Sequence, residues 1–303
     1  MAVLIVDQVS KFYDHFKAVD RVSFQIEAGR MFGLLGPNGA GKTTTMRMIM
    51  NIIIPDEGRI EIFGARFQEE HKNQIGYLPE ERGLYPKMKV VDHLQFLGEM
   101  KGLSAAEARR RAHHWLERFE LEKWAEKKVQ ELSKGMQQKI QFISTIMHDP
   151  QLIIMDEPFS GLDPINTKLL KDILLELKQA GKTIILSTHL MDQAEKLCEE
   201  ICLINRGRVV LQGPLSDIKQ RYSHNSVQLE YAGDASFIAA LPFVERINDY
   251  GNYMEIRLKD QTAPQELFQA VAQAGLQVSR FEAMETSLND IFIEIVGGGN
   301  GHE

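Results

Sequence analysis

The chain has 303 residues, 44% of them apolar and 25% charged, with a formal net charge of −7. That length holds one large domain or two smaller ones, and the apolar share suffices for an ordinary globular core. The acidic balance excludes bulk electrostatic attraction to nucleic acid or anionic lipid, and no apolar run approaches the ~20 residues of a membrane span.

In chain order, Val3, Ile5 and Val9 alternate with polar positions and predict an antiparallel strand. The apolar stretch at Val3-Leu4-Ile5-Val6 is too short for an export signal and is followed by Asp7, so no leader is expected. Residues 11–16 read as a loop. Within it, Tyr13 is locally a packing residue, with stacking on an adenine ring as the alternative. A second alternating strand follows at residues 22–27, ending at the turn Ala28-Gly29.

Residues 31–35 form a short apolar run that predicts a buried strand, and a helical pattern begins near Thr44. Between them stands Gly36-Pro37-Asn38-Gly39-Ala40-Gly41-Lys42-Thr43-Thr44, which satisfies G-x-x-x-x-G-K-[ST] at every fixed position. A strand, a glycine turn and a helix N-terminus converge backbone N–H groups on one point, and the helix dipole adds to their pull on an anion. Glycine removes the Cβ that would keep phosphate oxygens away. Lys42 is placed to reach the β/γ-phosphates and the Thr43 hydroxyl to ligate Mg²⁺.

Further along, residues 59–63 and 75–78 predict strands, the second broken by Pro79-Glu80-Glu81. The paired carboxylates there read as a solvated loop, with a metal or water site as the alternative. Helical periodicity covers residues 90–101 and 105–119. The second of these carries Arg109-Arg110-Arg111 and His113-His114, which read as the wet face of a helix. Ser133 is a good N-cap for a helix running to about His148.

Residues 152–155 form a strand apolar on both faces, and it ends in Asp156-Glu157. Open α/β sheets bind ligands at that strand edge. Asp156 is placed to hold Mg²⁺ through water, and Glu157 to polarise an attacking water. A tight loop, residues 160–164, caps a helix that ends near Gly181. A buried strand at 183–188 then carries His189 at its end, where a γ-phosphate contact is expected. The two cysteines, Cys198 and Cys202, have no second Cys/His pair nearby and read as buried free thiols, as in a reducing cytoplasm.

A hairpin around Asn205-Arg206-Gly207-Arg208 and a short helix at 214–222 close the first part. Residues 223–225 read as a linker. From 226 to 296 the pattern is β-α-β-β-α-β, which predicts a small ferredoxin-like α+β domain, and residues 297–303 read as a disordered tail.

Taken together, these motifs resemble those of the ATP-binding cassette (ABC) ATPases, over residues 1–222 and in the family's order and spacing. The fold this implies is an α/β P-loop core with an antiparallel β subdomain and a helical signature subdomain. The resemblance makes Tyr13 the adenine-stacking aromatic, Asp156 the metal-binding aspartate, Glu157 the catalytic base and His189 the switch histidine. Leu132-Ser133-Lys134-Gly135-Met136 stands where the family has L-S-G-G-Q, with Ser133 and Gly135 retained and Lys134 and Met136 as departures. Glu80 replaces the family's metal- and water-sensing glutamine and still faces the metal with a carboxylate. These departures resemble those of bacterial sodium-extrusion-type exporter ATPases.

The resemblance implies ATP and Mg²⁺ as cofactors, with Ser133 and Gly135 serving the nucleotide of a second copy in a homodimer. It also implies a separate polytopic membrane permease as partner, and hence a cytoplasmic, peripheral location on the inner face of the membrane. No nucleic acid partner is expected. The alternatives are a soluble cassette ATPase acting on ribosomes or DNA, which would carry two cassettes or a coiled-coil insertion, and a phosphotransferase, which would need neither signature helix nor His189.

Overall fold

The computed structural model describes residues 2–81, 83–222, 226–259, 262–284 and 286–297. The expected linker at 223–225 and residues 298–303 of the expected tail lie outside them. The chain divides into two compact units, one up to Leu215 and one from Ser216 onward.

The first unit opens with β1 (Ala2–Tyr13), β2 (Phe16–Glu27) and β3 (Met31–Leu35), then α1 (Lys42–Ile49), β4 (Glu57–Ile62), β5 (Ala65–Arg66) and β6 (Ile75–Leu78). Three helices follow: α2 (Val90–Met100), α3 (Ala105–Arg118) and α4 (Lys134–Ile146). The unit closes with β7 (Leu152–Asp156), α5 (Pro164–Gln179), β8 (Thr183–Thr188), α6 (Met191–Leu197), β9 (Glu200–Asn205), β10 (Arg208–Pro214) and the start of α7 (Leu215–Arg221). One sheet, ordered β2-β1-β4-β5, is antiparallel. The other, ordered β10-β9-β3-β8-β7-β6, is parallel except for β10. Every residue of β3, β7 and β8 is buried, as covered parallel strands require. Met46, Met48 and Ile49 of α1 join residues of both sheets in one core, and Phe24 stacks on Phe32 across them at 5.2 Å.

The loop expected at residues 11–16 is instead a tight hairpin. Tyr13 pairs directly with Phe16, and the turn is made by Asp14 in the left-handed region (φ 48°) and His15. Asp56 reinforces it, accepting from the Phe12 N–H at 2.7 Å and from Lys11 Nζ at 2.9 Å. No glycine marks this turn, so its sequence looked like loop. The basic run on α3 is paired on the helix surface: Arg110 and Arg111 contact Glu107, Arg109 contacts Asp92 and Glu126, and His113 contacts Glu122. Cys198 and Cys202 are buried free thiols, and burial pushes both up to about 12.

Asp20 of β2 ties the two sheets together. Its backbone N–H donates to Gly207 O at 2.8 Å, and its carboxylate takes Arg208 Nε at 2.7 Å and Lys17. The hydrogen bond from Lys17, together with Arg208, holds its carboxyl at about 2, against the opposing effect of burial. A depressed carboxyl contributes stability above its ordinary pKa and loses it as pH falls through the folded value. The contribution is about 1–2 kcal/mol once screening at the solvent-facing Arg208 is allowed for. Denaturant midpoints of the wild type and Asp20→Asn should therefore differ at pH 6 and converge as pH falls from about 4 to 2. A gap that stays constant over that range would show that the ionised carboxylate is not what holds the strands.

The second unit contains β11 (Ser226–Ala232), β12 (Val244–Asp249), β13 (Tyr253–Leu258), α8 (Pro264–Gln273), β14 (Gln277–Met284) and α9 (Leu288–Gly297). Its sheet is antiparallel, ordered β12-β13-β11-β14, the order of a split β-α-β plait. A single 3₁₀ segment, Ser236–Ala240, stands where the first helix of that plait belongs. Gly297, expected to begin the tail, is the last residue of α9.

Candidate nucleotide and hydrolysis site

The phosphate loop is wedged between two other segments. Gly41 precedes α1 at φ 108°, and a Cβ on it would lie 2.6 Å from Ala18 O of β2. The N–H of Gly207, in the β9–β10 turn, donates to Ala40 O at 2.9 Å. The first turn of α1 holds no acidic residue and no side chain caps it, so its orphan N–H groups are left for an anion.

Lys42, 6% exposed, donates through Nζ to Gly36 O at 2.7 Å and Pro37 O at 3.1 Å. Burial pulls its ammonium below the ordinary value, while Glu157 and Asp156 pull it back up. A cavity of about 470 Å³ opens over the loop, lined by Asn38, Gly39, Ala40, Gly41, Lys42, Thr43 and Thr44. Tyr13, Phe16 and Ala18 line its other side, with Glu80 and Glu157 at its edge. Gly36 and Pro37 do not line it; their carbonyls anchor Lys42 from beneath. Phe16 went unnoticed in the sequence. Only the Tyr13–Phe16 pairing brings this second ring, 63% exposed, beside Tyr13.

The acidic residues end β7, whose neighbour β8 positions them. Asp156 is buried, and its Oδ1 accepts from the Ser187 hydroxyl, while Oδ2 has no hydrogen-bond partner. An orphaned buried carboxylate oxygen is costly, and a hydrated divalent cation would satisfy it. Among the described residues no three His, Cys, Asp or Glu side chains form a metal cage. An ion held here would take phosphate oxygens as further ligands, which is the usual habit of Mg²⁺. The residues present therefore fit Mg²⁺ bound with a nucleotide, and Thr43, Asp156 and Glu80 are the side chains that would hold it.

Glu157 sits in the left-handed region (φ 49°), a strained place for a residue with a Cβ. Its N–H is held by the Ser187 carbonyl and hydroxyl oxygens, each at 3.2 Å. Its Oε1 lies 2.9 Å from His189 Nδ1 and 3.7 Å from Lys42 Nζ. Strain, backbone clamps and two side-chain contacts thus aim one carboxylate oxygen at the mouth of the phosphate loop. Ser187 holds both acids and was not singled out from the sequence. Its signal was a serine next to Thr188 at the C-terminal end of the fully buried β8.

Ser133 caps α4, accepting from the Met136 N–H at 3.3 Å. Neither Ser133 nor Gly135 lines the nucleotide cavity of its own chain. A second cavity of about 350 Å³ lies on the far side of Glu80 and Glu157 and is lined by Lys134, Gln138, Gln141, Asp156, Ser160 and Gly161 among others.

A glycine-rich loop at a helix N-terminus, an aspartate with an orphaned buried oxygen and a strained, clamped glutamate beside them are the parts of a P-loop nucleotide site. The family model described as "ABC transporter" matches residues 19–160, and that of the "ATP-binding protein DrrA1-3-like, C-terminal domain" matches residues 213–296. The chain is 44% identical to the ABC transporter ATP-binding protein YhaQ of Bacillus subtilis, over 97% of this chain and 99% of that one. It is 34% identical to the Nod factor export ATP-binding protein I of Ralstonia nicotianae, over 97% and 94% respectively. Among solved structures it is similar to the dimeric post-hydrolysis state of the ATP-binding cassette MJ0796 bound to ADP and Pi, with 25% identity and a TM-score of 0.65 over 70% of this chain and 98% of that one. The chain belongs to the ABC transporter ATP-binding proteins, and its activity is ATP hydrolysis.

Proposed function

We propose that this chain is the engine of an exporter, working as a head-to-tail homodimer that binds two Mg²⁺–ATP and drives a separate polytopic permease from the inner face of the cell membrane. The observation that carries this reading is the division of the site. Lys42, Thr43, Asp156, Glu157 and His189 belong to one region of one chain, while Ser133 and Gly135 stand apart from their own nucleotide cavity. A second copy would supply them from the N-terminus of its α4. The dimeric relative bound to ADP and Pi and the relative that serves Nod factor export support the assembly and the direction. No helix among the described residues is long and apolar enough to cross a membrane, so the path for cargo would lie in a partner.

In this reading Tyr13 stacks on the adenine, and residues 36–44 hold the phosphates. Thr43, Asp156 and Glu80 face the metal, which would neutralise phosphate charge. Glu157 accepts the proton of the attacking water, and His189 orients Glu157 and senses the γ-phosphate. Residues 1–222 form the ATPase domain and 226–296 an accessory domain. Detergent extraction of the tagged chain from its own cells should recover a polytopic membrane protein in stoichiometric amount, and adding that partner should change the ATPase rate. Recovery with ribosomes or DNA, and with no membrane partner, would favour the soluble cassette reading.

A further inference from the structure

The departures at positions 80 and 134 meet in one place. Glu80 and Glu157 line both cavities, forming the wall between them. On the far side the lining carboxylates are Glu80, Asp156 and Glu157, and the one cation among the lining residues is Lys134. Among the described residues neither Glu80 nor Lys134 forms an ion pair, and the cation that couples electrostatically with Glu80 from the nucleotide side is Lys42.

The two residues also share a mount. Gln141 of α4 donates to Pro79 O at 3.0 Å and Glu81 O at 3.2 Å, holding the carbonyls on either side of Glu80. Gln138 of the same helix donates to Pro158 O at 3.0 Å, just beyond Glu157. The helix that carries Lys134 in its first turn is therefore pinned to the segments that bear Glu80 and Glu157.

We propose that Lys134 is the counter-charge of Glu80 in the same chain, a positioning residue that keeps this carboxylate from repelling the γ-phosphate. The inference rests on the nucleotide-site reading above and adds to it a cis electrostatic link between a chain's own metal-facing loop and the signature element it offers to its partner. A glutamine at position 80 carries no charge and would need no such lysine. A glutamate lining the same cavity as Asp156 and Glu157 brings like charges together, and that repulsion is moderated by solvent at the exposed Glu80. Lys134 lines this cavity from the helix start and does not line the cavity over the phosphate loop.

The test is a double-substitution cycle on ATP affinity, measured by equilibrium binding on full-length chain kept dilute enough to be monomeric by sedimentation. Lys134→Gln should weaken ATP binding about fivefold in the wild-type background and less than about twofold in the Glu80→Gln background, whatever affinity Glu80→Gln has by itself, and Lys134→Arg should leave it near wild type. Both side chains are exposed, so neither substitution threatens the fold. An equal loss from Lys134→Gln in the wild-type and Glu80→Gln backgrounds would overturn the pairing, as would coupling that appears only in the dimer, which would place Lys134 on the partner's nucleotide instead. Wild-type ATP binding by the monomer keeps the two readings apart. Its absence would sink the nucleotide site itself, whereas uncoupled losses in a wild type that binds ATP would sink the pair alone.

Discussion

Glu157→Gln should lower steady-state ATP hydrolysis by about 10²–10⁴-fold, the usual worth of a positioned general base, while leaving ATP binding intact or tighter. The amide keeps the shape of the carboxylate and the backbone clamp from Ser187. It cannot accept a proton from water. It also removes a negative charge 3.7 Å from Lys42 Nζ, in a cavity where γ-phosphate charge must be accommodated. Turnover and binding should therefore separate, with a nearly dead enzyme that retains ATP. In the dimer reading that enzyme accumulates as an ATP-bound pair of chains, visible by sedimentation with ATP and lost with ADP. His189→Ala should give a smaller loss, because it removes a contact at 2.9 Å to Glu157 but leaves the proposed base in place. Unchanged hydrolysis in Glu157→Gln would remove Glu157 from the role of base.

Sequence and structure agree where physical constraint is local. The loop at residues 36–44 was legible because glycine spacing, the preceding buried strand and the following helix all point to the same anion site. β3, β7 and β8 were legible because parallel strands covered on both faces leave unbroken apolar runs. What stayed hidden depends on contacts between distant positions. Ser187 meets Asp156 across neighbouring strands, and no local pattern announces that pairing. Phe16 reaches the nucleotide cavity through a turn whose positive-φ residue is Asp14 rather than glycine. Glu80 read locally as part of a solvated loop. The family resemblance marked it as a metal-facing position, but its place on the wall between two cavities, one lined by Lys42 and the other by Lys134, was not legible in the sequence.

Gly36→Ala should damage both stability and ATP binding. Gly36 has φ 146°, a conformation that L side chains rarely adopt. A Cβ there would collide with the carbonyl oxygen of Ile204 and lie 3.2 Å from Ala40 Cβ. The Ile204 carbonyl belongs to β9, which pairs in parallel with β3 up to Leu35↔Leu203, so it cannot withdraw without opening the sheet. The loop must move instead, and with it the Gly36 carbonyl that fixes Lys42 Nζ at 2.7 Å. Collision and backbone strain together should cost about 2–4 kcal/mol of stability. A displacement of about 1 Å in a phosphate cradle should cost about 10²-fold in ATP affinity or turnover. Gly181→Ala is the internal control. Gly181 also has positive φ, at 86°, but nothing lies within 4 Å of the Cβ it would gain. It should lose only the backbone term, about 1 kcal/mol, with normal ATP binding. Denaturant unfolding and ATP binding of the two variants, measured side by side, separate steric wedging from left-handed backbone cost. If Gly36→Ala lost no more than Gly181→Ala, the close approach of β9 would not be the reason that glycine stands at the head of the phosphate loop.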